Sequence, residues 1–256
     1  MRKAIGVFDS GLGGLTVAEY IRERMPEEDI LFFADSKNMP YGDKTKEELR
    51  NIAVENVRYL NTYPLKALVI ACNTMDSTAP QVIRENTTVP VYGVIRPAVE
   101  KALLVSESKK IGVIATRATV KSGAYRKLLK SLSPDANVTS RSCPLLTPMI
   151  EDGSFRDREK LMPVLEKYLS VFRKKGIDTL ILGCTHYPIV AKEIEEILPG
   201  VTLVSSSYEV VNVLNEKTDK EENKKGRTVY LTSKDADGFS EKAQKLIHRK
   251  VRFREV

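Results

Sequence analysis

The chain has 256 residues, 42% of them hydrophobic, a formal net charge of +7, three cysteines and two histidines. That length suits one large or two modest domains, and that apolar share excludes a disordered chain. No apolar run reaches the roughly 18 residues of a membrane helix. No two cysteines stand close enough in sequence for a metal site, and the lysines and arginines are interleaved with acids instead of gathered as a nucleic-acid face requires. The sharpest basic cluster is the tail from His248 to Arg254. The start, Met1 to Asp9, carries only a short apolar core and reads as a first strand, not a secretion signal. Three cysteines without such a signal point to reduced thiols in a cytoplasm.

In chain order, Lys3 to Phe8 is a short apolar strand that stops at Asp9-Ser10-Gly11-Leu12-Gly13-Gly14, with a helix from Leu15 to about Met25. Strand, small-residue turn, helix is a setting for anion binding, but the spacing is not a dinucleotide fingerprint and no Walker lysine follows. Asp9 repels phosphate; it suits an amine or a proton transfer, or with Ser10 it caps the helix. Ile30 to Ala34 is the next strand, then a turn-rich loop through Pro40-Tyr41-Gly42. A helix over Thr45 to Leu60 follows, opening with capping-box spacing from Thr45 to Glu48. Ala67 to Ala71 forms a strand ending at Cys72-Asn73-Thr74. The pattern predicts a helix over Ser77 to Glu85 with Pro80 in its first turn, a strand over Val89 to Ile95, and a helix after Pro97.

A second unit opens at Lys109 to Thr116, which matches the first strand in character and feeds a helix from about Thr119 to Leu132. A long amphipathic helix over Arg156 to Lys175 precedes the strand Thr179 to Leu182, which ends at Gly183-Cys184-Thr185-His186. A helix from Ile189 to Leu198 and a strand from Val201 to Val204 complete this half. The polar run Lys217 to Lys225 reads as a solvated loop. A strand over Thr228 to Thr232 and a helix over Asp235 to His248 follow. Alternating strands and helices predict an α/β protein with two similar doubly wound halves, parallel sheets, and a site in the cleft between them.

Cys72 and Cys184 occupy matching places, each at the carboxyl end of an apolar strand, where ligands of open α/β sheets bind. A thiol at such a turn feels the following helix, which is expected to lower its pKa. If two similar halves face each other, one thiol removes a proton from a carbon while the other returns one to the far face, inverting a stereocentre. Asp9, Glu151 and His186 are the groups available to adjust the thiols' protonation. Each cysteine alone also fits a buried small hydrophobe; the matched contexts favour the pair. Cys143, next to Pro144 in an apolar stretch, reads as structural.

These motifs resemble the glutamate racemases of the aspartate/glutamate racemase superfamily. The residues that carry the likeness run nearly the whole chain: Gly6 to Val17, Pro40-Tyr41-Gly42, Ala71-Cys72-Asn73-Thr74, Ser122-Gly123-Ala124-Tyr125, Cys143-Pro144-Leu145, and Leu182 to Pro188. The resemblance implies a racemase that needs no cofactor and no metal and interconverts L- and D-glutamate for peptidoglycan synthesis. It implies a first domain of residues 1–95 completed by 208–256, and a second of 96–207. Cys72 would act on D-glutamate with help from Asp9, and Cys184 on L-glutamate with help from His186 and Glu151. Ser10, Pro40, Tyr41, Gly42, Asn73, Thr74, Thr119 and Thr185, together with Asp9 and His186, would hold the substrate. Relatives commonly form homodimers. Three departures stand out: Met75-Asp76 where small residues are usual, Ser205 in a segment that usually holds an aspartate, and Ser233 where glycine is usual. A racemase of aspartate, or a family member that binds without catalysis, remains as the alternative. Pro40-Tyr41-Gly42 and Thr185-His186 favour glutamate.

Overall fold

The computed structural model describes residues 3–218 and 225–256. Each apolar run named above becomes a strand: β1 (Ala4–Asp9), β2 (Ile30–Ala34), β3 (Leu65–Ile70), β4 (Val91–Gly93), β5 (Lys110–Ala115), β7 (Thr179–Gly183), β8 (Thr202–Ser205) and β9 (Thr228–Thr232), joined by β6 (Asn137–Ser142) and β10 (Phe253–Glu255). They form two sheets, one of six strands in the order β10-β9-β2-β1-β3-β4 and one of four in the order β6-β5-β7-β8. Every pairing is parallel. The central strands are buried throughout, as helices on both faces of a parallel sheet require.

The two sheets repeat one topology. In each, four consecutive strands lie in the order second, first, third, fourth, and β9 and β10 extend the first sheet beyond β2. In each sheet the chain therefore winds first to one side of β1 or β5 and then crosses to the other, which puts a topological switch point at the carboxyl ends of β1 and β3 and of β5 and β7. Asp9 ends β1 and Thr116 follows β5; Cys72 and Cys184 follow the adjacent β3 and β7. One apolar core spans the molecule, taking Ile5 and Phe32 from the first sheet and Val113 and Ile181 from the second, with Val99, Val210 and Leu214 among them. The last three belong to helices Ile95–Val105 and Ser206–Lys217, so the sheets are joined through packed helices.

Several local expectations change. The predicted helix over Ser77 to Glu85 is two helices, Asn73–Thr78 and Pro80–Glu85, meeting at non-helical Ala79. Pro80 lacks an N–H and its ring excludes the α conformation from the preceding residue. The helical turn that follows Cys72 thus begins at once. The strand expected over Val89 to Ile95 shortens to β4 because the next helix starts at Ile95, with Pro97 inside its first turn. Its start is held by Asp76, whose Oδ2 accepts the Ile95 N–H at 2.9 Å. A Cβ on Gly93 would lie 2.2 Å from Asp76 Oδ1, so the unusual Asp76 fits only because residue 93 has no side chain. The helix expected over Thr119 to Leu132 breaks at Gly123, whose φ of 68° is left-handed.

The helix Lys46–Leu60 opens with the expected capping box between Thr45 and Glu48. The polar run Lys217 to Lys225 falls largely outside the described residues. The basic tail is folded, with Phe253 buried, β10 on the sheet edge, and Arg249 paired with Glu19 at 2.7 Å. Among the described residues no helix is long and apolar enough to cross a membrane, and no His, Cys, Asp and Glu cluster is arranged for a metal ion.

Candidate active site

The carboxyl ends of β1, β3, β5 and β7 open onto one cleft of about 350 Å³. Ser10, Pro40, Tyr41, Gly42, Cys72, Asn73, Thr74, Glu151, Cys184, Thr185 and His186 line it. Of the residues expected from sequence, Asp9 and Thr119 stand outside this lining. Asp9 is 1% exposed, and Thr119 backs Thr116, which reaches the cleft in its place, their hydroxyls 3.0 Å apart. Thr116 in turn lies 2.9 Å from the Thr74 hydroxyl.

Cys72 is the residue before helix Asn73–Thr78, and its Sγ lies 3.8 Å from Ser10 Oγ. The thiol is expected to be acidified by this helix, but the opposite holds. Burial and the charge of Asp9 push its pKa well up, outweighing the Met75 N–H and the Ser10 hydroxyl. A six-residue helix has too small an end charge to offset the desolvation of a buried thiolate. Cys72 therefore rests as a thiol.

Asp9 ties the turn after β1 and neighbours Cys72; it does not cap the helix Leu15–Arg24, whose start has no side-chain cap bond. Its Oδ2 accepts the Gly14 N–H at 2.8 Å and that of Gly11 at 3.3 Å, closing the glycine turn. Its Oδ1 has no hydrogen-bond partner among the described residues, and the carboxyl interacts with the Cys72 thiol. Burial raises its pKa, against the opposing charge of His186 and the two backbone N–H groups.

Cys184 has different company. Its Sγ lies 3.7 Å from His186 Nδ1, and His186 Nε2 lies 3.1 Å from Glu151 Oε1. Thr147 Oγ1 is 3.7 Å from the same sulfur. Thr147 and Glu151 sit on helix Leu146–Glu151, where an i, i+4 spacing puts both on one face. Burial disfavours a charged imidazole, yet the bonds to Cys184 and Glu151 outweigh it and raise the His186 pKa well above the usual histidine range. His186 is thereby held as an imidazolium beside the sulfur.

The glycine turn after β1 is shaped to this second thiol. A Cβ on Gly13 would lie 2.3 Å from Thr185 Oγ1 and 2.5 Å from His186 Nδ1. Thr16 completes the contact, its hydroxyl 3.0 Å from the Thr185 carbonyl oxygen. The Asp9 turn thus serves Cys72 through its carboxyl and braces Cys184 through its backbone.

Two buried networks that support the site, around Asp35 and around Asn73, escape sequence reasoning. Buried Asp35 accepts hydrogen bonds from Tyr41 (2.6 Å), Asn38 (2.9 Å), Asn56 (3.2 Å) and Ser233 (2.9 Å). This fixes the Pro40-Tyr41-Gly42 loop and gives the departure at Ser233 a function: it adds an anchor to Asp35. What Tyr41 offers the cleft is therefore not its hydroxyl. Asn73 is likewise engaged, since Tyr125 donates to its Oδ1 at 2.6 Å and its Nδ2 donates to Ser206 at 3.0 Å. Ser206 donates in turn to the Leu182 carbonyl at 2.9 Å, so a buried strut runs from the Cys72 turn to the strand carrying Cys184. Ser205 accepts the Tyr208 N–H and caps the next helix, work for which serine and aspartate are equally suited. Cys143 is buried with its carbonyl accepting the Tyr187 hydroxyl at 3.1 Å, and it borders the cleft.

Two parallel sheets of one topology, each delivering a thiol to a shared cleft, define the architecture of an amino-acid racemase, and the chain belongs to the Asp/Glu/hydantoin racemase family, whose model matches residues 16–214. Within that family it is similar to glutamate racemases. It is 44% identical over 230 residues to the glutamate racemase of a Sulfurihydrogenibium species, covering 89% of this chain and 88% of that one. A crystal structure of a glutamate racemase isoform from Bacillus anthracis superposes with a TM-score of 0.94 at 35% identity, covering 99% of this chain and 97% of the other. The Francisella tularensis glutamate racemase in complex with D-glutamate matches with a TM-score of 0.92 at 33% identity, over 100% and 97% of the two chains.

Proposed function

We propose that this protein interconverts L- and D-glutamate by passing the α-proton between two thiols, and that its D-glutamate serves peptidoglycan synthesis. The observation that carries the reading is the pair of buried thiols lining one cleft from two sheets of the same topology, each with its own proton-handling neighbour. In the L-to-D direction the Cys184 sulfur, as thiolate beside the His186 imidazolium, takes the α-proton; its C–H electron pair stays on carbon as a carbanion. The Cys72 thiol then gives its proton to the opposite face, leaving a thiolate. The D-to-L direction runs the same steps in reverse, with the Asp9 carboxyl assisting Cys72 and the His186–Glu151 pair assisting Cys184.

The small hydroxyls of Ser10, Thr74, Thr116 and Thr185 suit a substrate with two carboxylates and an ammonium. Asn73 acts in this scheme chiefly as a strut. We extend the proposal to two working units, residues 1–95 with 208–256 and residues 96–207, and, on the family likeness alone, to a cytoplasmic homodimer; light scattering on the purified protein checks the dimer.

The test is racemisation in deuterated water with no cofactor added, starting separately from L- and D-glutamate. Inversion with deuterium at the α-carbon is expected, and Cys72→Ala or Cys184→Ala should each lower the rate by at least about 10³-fold. Inversion that survives either substitution rules out the two-thiol scheme. No exchange from either isomer rules out the activity.

A further inference from the structure

Beside the thiol cleft lies a second, larger cavity of about 640 Å³ that shares Gly42, Asp43 and Arg117 with it. Its wall is unlike that of the cleft. Lys44, Lys46, Arg117, Lys121 and Lys127 line it, with Asp43 as the one acid. They come from both sides of the molecule: Lys44 and Lys46 from the start of helix Lys46–Leu60, and Arg117, Lys121 and Lys127 from the helices after β5. Among the described residues none of the five cations forms a salt bridge. Lys44 feels the Glu48 carboxylate, and Lys127 donates to the Ser122 carbonyl. Elsewhere on the surface some cations do have acidic partners, as Arg158 has Glu196 and Lys109 has Asp135.

Five cations converging on one concavity whose wall holds a single carboxylate, Asp43, create a net positive potential that draws in counter-ions. Gly42 and Arg117 sit where that field meets the catalytic cleft, so an anion drawn into the outer cavity stands at the threshold of the inner one. Glutamate, with two carboxylates and one ammonium, carries a net charge of about −1 at neutral pH. We propose that the outer cavity is an anion-gathering antechamber that concentrates acidic amino acids at the mouth of the cleft, so that the outer cavity selects for charge and the inner one for shape and stereochemistry. This rests on the glutamate reading above. Neutral amino acids gain nothing from it.

The experiment measures kcat and KM for L-glutamate from about 10 to 300 mM sodium chloride, for the wild type and for the triple variant Lys46→Gln, Lys121→Gln, Lys127→Gln. None of the three lines the thiol cleft, and all are exposed, so folding and kcat should be kept. Wild-type kcat/KM is expected to fall about fivefold as salt screens the field, with kcat steady. The triple variant should start about fivefold lower at low salt, through KM alone, and lose less than twofold on salt addition. A variant that keeps the wild-type salt dependence overturns the antechamber, and so does a loss confined to kcat. A wild type that does not racemise glutamate at any salt concentration fails the functional reading instead, so the two failures are distinguishable.

Discussion

Around Cys72 the sulfur meets the Ser10 hydroxyl and a buried carboxyl, Asp9. Around Cys184 it meets an imidazole tied to Glu151, and the Thr147 hydroxyl. The scaffolds beneath are the same: third strand of a repeated order, then a helical turn. The repeated topology thus supplies two equivalent strand ends, and the difference between the thiols comes from what neighbouring segments bring to each. Asp9 comes from the adjacent strand of the Cys72 sheet; Glu151 and Thr147 come from the helix after β6. The consequence is a difference of charge. Cys72 is kept as a thiol by burial and a carboxyl, and Cys184 stands beside an imidazolium. Two acid/base groups set apart in this way suit a reaction that needs one donor and one acceptor at the same moment.

The largest effects that sharpen this contrast come from removing each thiol's helper. Asp9→Asn and His186→Asn should each lower kcat about 10²-fold, with opposite signatures. In His186→Asn, abstraction by Cys184 becomes slower, so α-deuterated L-glutamate should show the larger rise in primary isotope effect. In Asp9→Asn the rise should be larger with α-deuterated D-glutamate. Equal rises from both isomers in both variants would mean that the helpers are shared and the assignment of one to each thiol is wrong.

A second difference lies four residues past each thiol. After Cys184 stands Pro188; after Cys72 stands Asp76, buried and pushed up by burial to a pKa of about 6, against the opposing N–H groups of Ile95 and Val94 and the charge of Arg84. Its reference value is 3.8. Between these values the unfolded chain has released the proton that the folded chain keeps, so this group's contribution to stability falls as pH rises through that window. A shift of this size corresponds to about 3 kcal/mol at most. Asp76→Asn cannot titrate. Its stability relative to wild type should therefore rise between about pH 3.5 and pH 7.5 by up to about 3 kcal/mol, read from urea denaturation at both pH values. A constant difference across that range would show that folding leaves the Asp76 pKa unshifted.

How far the sequence reaches into this site depends on whether a residue's partner lies nearby in the chain. Strand ends are local: an apolar run followed by a small polar residue marks Asp9, Cys72 and Cys184 without any knowledge of the fold. The same rule applied to Phe33-Ala34-Asp35 singles out Asp35, whose carboxylate anchors the loop that follows it. The capping box at Thr45 is legible for the same reason. The break at Ala79 follows from Pro80, which disfavours the α conformation in the residue before it. By contrast, nothing near Ser206, Tyr125 or Gly93 announces Asn73 or Asp76, because those partners are far away in sequence. The Cys72 pKa departs from the local expectation on the same account: the helix is a local feature, while burial is a property of the whole fold.

The smallest effect tests whether the two thiol turns are held independently. Ser206 is fully buried, accepts from Asn73 and donates to the Leu182 carbonyl. Ser206→Ala removes that hydroxyl and leaves the Asn73 amide and the Leu182 carbonyl each short of a partner, at a cost of about 1–3 kcal/mol in stability. Because the strut meets the Cys72 turn at one end and the Cys184 strand at the other, loosening it should shift both sulfurs relative to one substrate. A severalfold drop in kcat is expected in both directions, with equal rises in the isotope effects from L- and D-glutamate, unlike the opposed pattern of the helper variants. Should only one isomer's isotope effect rise, the strut steadies a single turn, and the two thiols are aligned by the Asp9–Gly14 turn packed on His186 instead.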